Sequence, residues 1–326
     1  KVLPPASLTK IMTVYIAFRE LSNNRLSLDE LVTVSEKAWR TPGSKMFIEV
    51  NKQVTVENLL KGIIIQSGND ASVAIAEHIA GDEYTFAEMM NQQAQRLGMS
   101  STHYMNATGL PAPNEHYTTA HDLAILTRAV IKEFPEYYRW DSEKEFTYNK
   151  ITQKNRNTLL WRDESVDGVK TGHTEEAGYC LIASAKRQNM RLISVVLGTK
   201  SKSARANESQ TLLNYGFRFF ETHKLYDANT ALTTGRVWKG ATDTVELGLI
   251  EDLYVTISRR HYKEMKAATS VDIKIMAPIE KGDQLGMVNV TLRDKIVSSK
   301  PLTALSGVEK GSFLQRAYDS ALMLIK

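Results

Sequence analysis

Apolar residues recur at helical spacing along the first part of the chain. Leu8, Ile11, Met12, Tyr15, Ile16 and Leu21 follow Pro4-Pro5 and predict a buried helix beginning near Ser7, with Ser7 and Lys10 on one face. Residues Thr55 to Gln66 and Asp70 to Ala80 read as two more helices, with Ser67-Gly68-Asn69 as the corner between them. Thr85-Phe86-Ala87-Glu88 has the form of a capping box and opens a helix that should stop near Gly98. Another helix fits Thr119 to Phe134, ended by Pro135.

The period shortens after Glu145. Phe146 to Ile151 predicts a strand, and the runs Gly178 to Ala185 and Arg191 to Gly198 predict a hairpin turning at Gln188-Asn189. Lys170-Thr171-Gly172 opens that sheet region, and a helix from about Ala204 to Phe220 closes the first domain. From about Leu225 the chain becomes short β-rich runs: Thr244 to Leu249, Leu253 to Ser258, Asp272 to Ala277 and Gly286 to Leu292. The expected organisation is a helix-rich domain over 1–221, a small β domain over 222–311 and a terminal helix over 312–326. That helix gathers Phe313, Leu314, Ala317, Tyr318, Ala321, Leu322, Leu324 and Ile325 on one broad face, opposite Gln315, Arg316, Asp319 and Ser320. Such a face suits a membrane interface. Packing on its own β domain is the other reading, because the segment is short and carries little positive charge.

A chain of 326 residues with 42% hydrophobic content has room for two domains and a sizeable core. The net charge of +4, without a dense Lys/Arg run, gives no call for nucleic acid. One cysteine, Cys180, excludes an internal disulfide, and the seven histidines lack metal-ligand spacing, so neither metal nor cofactor is expected. Cys180 sits in the apolar run Tyr179 to Ala183, as a buried small side chain would. No stretch reaches the ~20 apolar residues needed to span a bilayer. A nucleophile at position 7 would have little behind it, so a preceding N-terminal segment is expected.

Three motifs carry the chemistry: Ser7-Leu8-Thr9-Lys10, Ser67-Gly68-Asn69 and Lys170-Thr171-Gly172. The first and last each occur once, and the decoy Ser22-Asn23-Asn24 lies roughly 22 Å from Ser7 along one helix axis. A serine hydroxyl needs a base within reach, and Lys10 lies one helical turn away. To accept a proton that lysine must be neutral, and burial together with repulsion from Lys170 lowers a lysine pKa. Ser67 can relay a proton between Lys10 and a leaving amine, while the Asn69 amide can grip a substrate carbonyl or hold Lys10; taken alone, both could be ordinary helix caps. Lys170, Thr171 and Gly172 on a strand offer an ammonium, a hydroxyl and an unobstructed edge for an extended peptide. The backbone N–H groups of Ser7 and His173 are assigned to the oxyanion hole, and the His173 ring has no evident role as base.

These motifs, with Pro5-Ala-Ser-Leu-Thr-Lys, Gln66-Ser-Gly-Asn-Asp-Ala, Asn155-Arg-Asn-Thr-Leu-Leu-Trp, Val166-Asp-Gly-Val-Lys-Thr-Gly-His-Thr and Tyr215-Gly-Phe-Arg-Phe-Phe-Glu, make the chain resemble low-molecular-mass penicillin-binding proteins. Within them it is similar to the serine-type D-alanyl-D-alanine carboxypeptidases. The resemblance implies an α+β fold: a penicillin-binding/serine β-lactamase-like transpeptidase domain, an antiparallel sheet with helices, plus a small C-terminal β domain. It implies removal of the terminal D-alanine from peptidoglycan pentapeptide through a Ser7 acyl-enzyme, and acylation by β-lactams. It also implies a periplasmic enzyme attached peripherally to the outer face of the cytoplasmic membrane through its last helix. By the same resemblance Arg205 faces the substrate's terminal carboxylate. The stretch Trp39 to Asn51 looks shorter than in some relatives, which bears on how fast the acyl-enzyme hydrolyses. A crosslink-cutting D,D-endopeptidase would use the same residues. A class A β-lactamase would have Ser-Asp-Asn as its middle motif and a deacylating glutamate, and a non-catalytic scaffold would have no need of the complete set.

Overall fold

The computed structural model describes residues 1–112 and 114–325; the side chains of Leu324 and Ile325 and the whole of Lys326, assigned above to the terminal helix, lie outside the described residues. The chain forms two compact units, Lys1–Gly216 and Phe217–Lys326.

The centre of the first unit is a helix with no solvent face. In α1 (Lys10–Ser22) every residue from Lys10 to Phe18 is buried, so the helix is surrounded rather than laid on a surface. The chain enters it through a tight 3-10 turn, Ala6–Thr9, so Ser7 precedes the α-helix proper. Around α1 pack α2 (Val56–Gln66), α3 (Asn69–Ala80), α4 (Glu83–Leu97) and α5 (Ala120–Glu133). Thr119 caps α5 by accepting from Asp122 N–H at 3.1 Å, and Gly98 ends α4 in the left-handed region. The box at Thr85–Glu88 does not open α4. Asp82 is the cap, its carboxylate accepting from both Thr85 N–H (2.8 Å) and Thr85 Oγ1 (2.9 Å), because an ionised acceptor outcompetes a hydroxyl for the first free amides.

The expected strand at Phe146–Ile151 is in fact a hairpin, Glu145–Tyr148 paired with Ile151–Lys154. Asn149 and Lys150 both adopt positive φ, 46° and 64°, and make the two-residue turn. The main sheet is antiparallel, in the order β1 (Val166–Thr174), β2 (Gly178–Arg187), β3 (Met190–Thr199), with Lys170 opposite Ile182 and Gly172 opposite Cys180. The β2–β3 turn falls at Gln188-Asn189, as expected. Cys180 is a free, buried thiol. The helix α6 (Lys202–Phe219) follows β3.

The second unit is mostly one six-stranded sheet. Its strands run in the order Met265–Val271, Gln284–Leu292, Lys295–Ala304, Thr244–Gly248, Ala231–Trp238, Ile275–Met276, over a core that includes Val245, Leu247, Val288, Val290 and Leu302. Phe220–Tyr226 pairs separately with Leu253–Ser258. The run Asp272–Ala277 contributes only Ile275–Met276 to a sheet, in parallel pairing with Val237–Trp238. The last helix, α7 (Phe313–Ile325), begins with a reciprocal cap: Gln315 N–H donates to Ser312 Oγ, and Ser312 N–H donates to Gln315 Oε1.

Candidate active site

A cleft of about 760 Å³ brings the three motifs together. Ser7 comes from the turn before α1, Ser67 from the corner between α2 and α3, Thr171, Gly172 and His173 from β1, and Arg205 from α6. Lys10 and Lys170 lie directly beneath, 0% and 5% exposed.

The local backbone explains the placement. Ala6 holds φ = 48°, a sparsely populated setting for alanine, and turns Ser7 toward the cleft at the start of the helix. Ser67 caps α2 in the left-handed region at φ = 63°, which breaks the helix and starts α3 two residues later. The corner is braced from outside. Asn69 Nδ2 donates to Pro42 O (2.6 Å), Asn69 N–H donates to Ser44 O (2.7 Å), and the Asp70 carboxylate accepts from Met46, Phe47 and Ile48 N–H. The stretch Trp39–Asn51 is thereby clamped at one wall of the cleft.

Lys10 Nζ has three neighbours: Asn69 Oδ1 at 2.7 Å, the Thr108 carbonyl at 2.5 Å and Ser7 Oγ at 3.2 Å. Burial pushes this lysine well below its ordinary pKa, helped by the positive charges of Lys170 and Arg156 and opposed by Asp70 and Glu83. A neutral amine has two N–H bonds and one lone pair. The two carbonyl oxygens take the N–H bonds, and the lone pair is left for the Ser7 hydroxyl proton. Asn69 therefore holds Lys10, one of the two roles considered for it. Ser67 Oγ is buried at the cleft wall without a hydrogen-bond partner among the described residues, and no bond joins it to Lys10.

Lys170 is lowered to about 7, chiefly by burial, then by Arg156 and Arg205, with Asp141 acting in the opposite sense. Arg205 Nη1 donates to Gly172 O (3.0 Å) and Cys180 O (3.4 Å), and its guanidinium lies 5.7 Å from the centre of the Tyr179 ring. Tyr179 in turn stacks at 3.9 Å on His173, whose ring is exposed at the cleft mouth.

Two contributors were given no role by the sequence reading. The Thr108 acceptor is a backbone carbonyl. Arg156 stands between Asn155, whose Nδ2 donates to Glu143 O (3.0 Å), and Asn157, whose Nδ2 donates to Gly168 O (2.9 Å); the pair fixes the turn that puts Arg156 at the cleft. Among the described residues no cluster of His, Cys, Asp and Glu could hold a metal ion.

The family profile of D-alanyl-D-alanine carboxypeptidases matches residues 1–201, a span that contains all three motifs. The chain belongs to that family. Residues 220–310 match the C-terminal domain of penicillin-binding protein 5. The chain of this carboxypeptidase family member is 44% identical to D-alanyl-D-alanine carboxypeptidase DacC of Escherichia coli over 98% of its own length and 82% of the relative's. Among solved structures it superposes on penicillin-binding protein 5 of Haemophilus influenzae with a TM-score of 0.83 at 42% identity, covering 95% of this chain and 92% of that one. It also matches the ampicillin-bound form of penicillin-binding protein D2 of Listeria monocytogenes, with a TM-score of 0.61 at 33% identity over 67% of this chain and 88% of that one.

Proposed function

We propose that this carboxypeptidase removes the terminal D-alanine from peptidoglycan stem peptides ending in D-Ala-D-Ala, through an acyl-enzyme on Ser7. The observation that carries this reading is the set of contacts at Lys10, which leaves one lone pair and aims it at Ser7 Oγ. Ser7 Oγ attacks the carbonyl carbon of the penultimate D-alanine as its proton passes to Lys10. The resulting oxyanion lies against the backbone N–H groups of Ser7 and His173. Its collapse expels the terminal D-alanine, whose amine takes the proton from Lys10 by way of the Ser67 hydroxyl. Lys170, Thr171 and Arg205 hold the substrate's carboxylate end, and Gly172 leaves the strand edge clear for the peptide. Water then repeats the sequence in reverse roles, and the ester is hydrolysed.

A β-lactam presents the same acyl group in a ring, so it acylates Ser7 by the same first step. Incubation with a labelled penicillin should add one drug mass to the intact protein, and Ser7→Ala should add none. An unmodified wild-type mass would overturn the acyl-enzyme reading. Product analysis on monomeric pentapeptide and on crosslinked muropeptide separates carboxypeptidase from endopeptidase action.

A peptidoglycan substrate supports a periplasmic location for the enzyme. No described helix is long and apolar enough to cross a membrane. In α7, Phe313, Leu314 and Tyr318 are 76%, 78% and 67% exposed, while Asp319 on the other face accepts from Lys239 N–H of the β domain. The apolar side is left outward for the outer face of the cytoplasmic membrane.

A further inference from the structure

Beneath the cleft, Lys10 and Lys170 line a small cavity of about 10 Å³, room for about one water. One other polar side chain borders it: Asp141, 5% exposed. The remaining lining is aliphatic, from Ile11 and Val14 of α1, Ile63 and Ile64 of α2, Val130 of α5 and Val169 of β1. Asp141 comes from the 3-10 turn Arg139–Ser142, which is pressed onto β1: a Cβ at Gly168 would lie 3.1 Å from Asp141 Cβ. Asn155 Nδ2 holds the same turn through Asp141 O and Glu143 O.

We propose that Asp141 is a positioning residue for acyl transfer, its buried carboxylate keeping Lys170 an ammonium while Lys10 remains free to act as an amine. This rests on the reading above in which Lys170 works charged.

The site needs opposite protonation states from two lysines in nearly the same surroundings. Burial favours the neutral form of both. The charged groups facing Lys170 are Arg156 and Arg205, which also favour its neutral form, and Asp141, the one that favours the ammonium. Lys10 borders the same cavity and feels Lys170, Arg156, Asp70 and Glu83, but its Nζ is held by two neutral acceptors, Asn69 Oδ1 and the Thr108 carbonyl, whereas the hydrogen bond of Lys170 Nζ is a long one, to Thr171 O at 3.2 Å. The cavity carboxylate of Asp141 is therefore left to the Lys170 ammonium. Around Asp141 itself stand Lys170, Asp167 and Tyr138, and Asp167 is already occupied by Arg191 (2.7 Å) and the Tyr138 hydroxyl (2.8 Å). Asp141 forms no ion pair among the described residues, so its charge acts on Lys170 across the cavity. Burial raises the Asp141 carboxyl well above the usual carboxylate range, and the two groups titrate as a pair.

Removing the carboxylate destabilises the ammonium, so Lys170 should lose its proton at lower pH. The experiment is the pH profile of penicillin acylation and of D-alanine release for wild type, Asp141→Asn, Lys170→Arg and the double variant, each checked for folding by circular dichroism. Asp141→Asn should move the basic limb down by about one pH unit or more and leave the acidic limb of Lys10 in place. Lys170→Arg, charged at every pH used, should erase that limb, and adding Asp141→Asn to it should shift nothing. If Lys170→Arg erases the limb but Asp141→Asn superimposes on wild type, the role of Asp141 is overturned and the reading of Lys170 stands. If Lys170→Arg retains the wild-type limb, the charged role of Lys170 fails, and this proposal with it. Asp141→Ser supplies the same readout should the amide not fit the cavity.

Discussion

The backbone oxygen of Ala6 occupies the space where a side chain on Gly109 would begin: a Cβ there would lie 1.8 Å from that oxygen. The contact joins the residue before the nucleophile to the residue after Thr108, whose carbonyl takes one Lys10 N–H bond. Gly109 also holds φ = 82°. Its lack of a side chain thus sets the relative position of nucleophile and base.

Gly109→Ala should force the 106–110 loop away from the Ser7 turn while leaving all three motifs intact. Displacement of about 1 Å costs on the order of 10²-fold in rate, and alanine at positive φ adds about 1–3 kcal/mol of strain. The expectation is a penicillin acylation rate down ~100-fold with a lowered melting temperature. Wild-type kinetics in this variant would show that the loop does not position Lys10.

Asn69→Asp tests the neutral base directly. It places an anion on the side chain that accepts from Lys10 at 2.7 Å, and an adjacent negative charge favours the ammonium. The Lys10 pKa should rise, so the acidic limb of the acylation profile should move to higher pH by about 2 units, with ~100-fold loss at neutral pH and partial recovery in alkali. An unshifted limb would mean that another group supplies the base.

What the sequence revealed and what it hid divide along physical lines. The helices α4 and α5 are legible because each buries one face, and the hairpin at Gln188-Asn189 because its turn is local. The hairpin at Asn149-Lys150 passed as one strand because its arms are only four residues each, against ten on either side of Gln188-Asn189. Ala231–Trp238 and Lys295–Ala304 escaped because their apolar residues alternate weakly, although each pairs with a strand close by in the chain. The motif residues were readable as types at positions. Asp141 and the Thr108 carbonyl were not, since each reaches the site through tertiary packing and one is a backbone atom common to every residue, and Arg156, though inside the segment Asn155-Arg-Asn-Thr-Leu-Leu-Trp, was given no role. Ser67, read as a proton relay between Lys10 and the leaving amine, lies at the cleft wall with no hydrogen-bond partner among the described residues.

Asp70 is the brace of the cleft wall. Its two oxygens accept from Met46 (2.9 Å), Phe47 (2.9 Å) and Ile48 (3.3 Å). Asp70→Ala leaves these donors without partners, at about 1–3 kcal/mol for each that stays buried. For a unit of this size the melting temperature should fall by about 5–15 °C. Because Pro42 and Ser44 of the same stretch bind Asn69, the acylation rate at a temperature where the variant is folded should fall as well. A destabilised variant with an unchanged rate would separate the brace from the chemistry.

The outward face of α7 makes the membrane reading measurable. Arg316 and Asp319 offset each other and the described part of the helix holds no other charge, so any attachment must come from apolar area rather than from attraction to anionic lipid. Full-length protein should therefore co-sediment with vesicles of phosphatidylethanolamine and phosphatidylglycerol with little dependence on salt. Each exposed large apolar side chain stands to contribute about 1.5–3 kcal/mol when buried in the interface. Phe313→Glu with Leu314→Glu should then reduce partitioning by more than ~100-fold, while penicillin acylation of Ser7 proceeds at the parent rate. Equal sedimentation of variant and parent would remove this helix as the anchor, and strong salt dependence would assign the attachment to basic surface elsewhere on the chain.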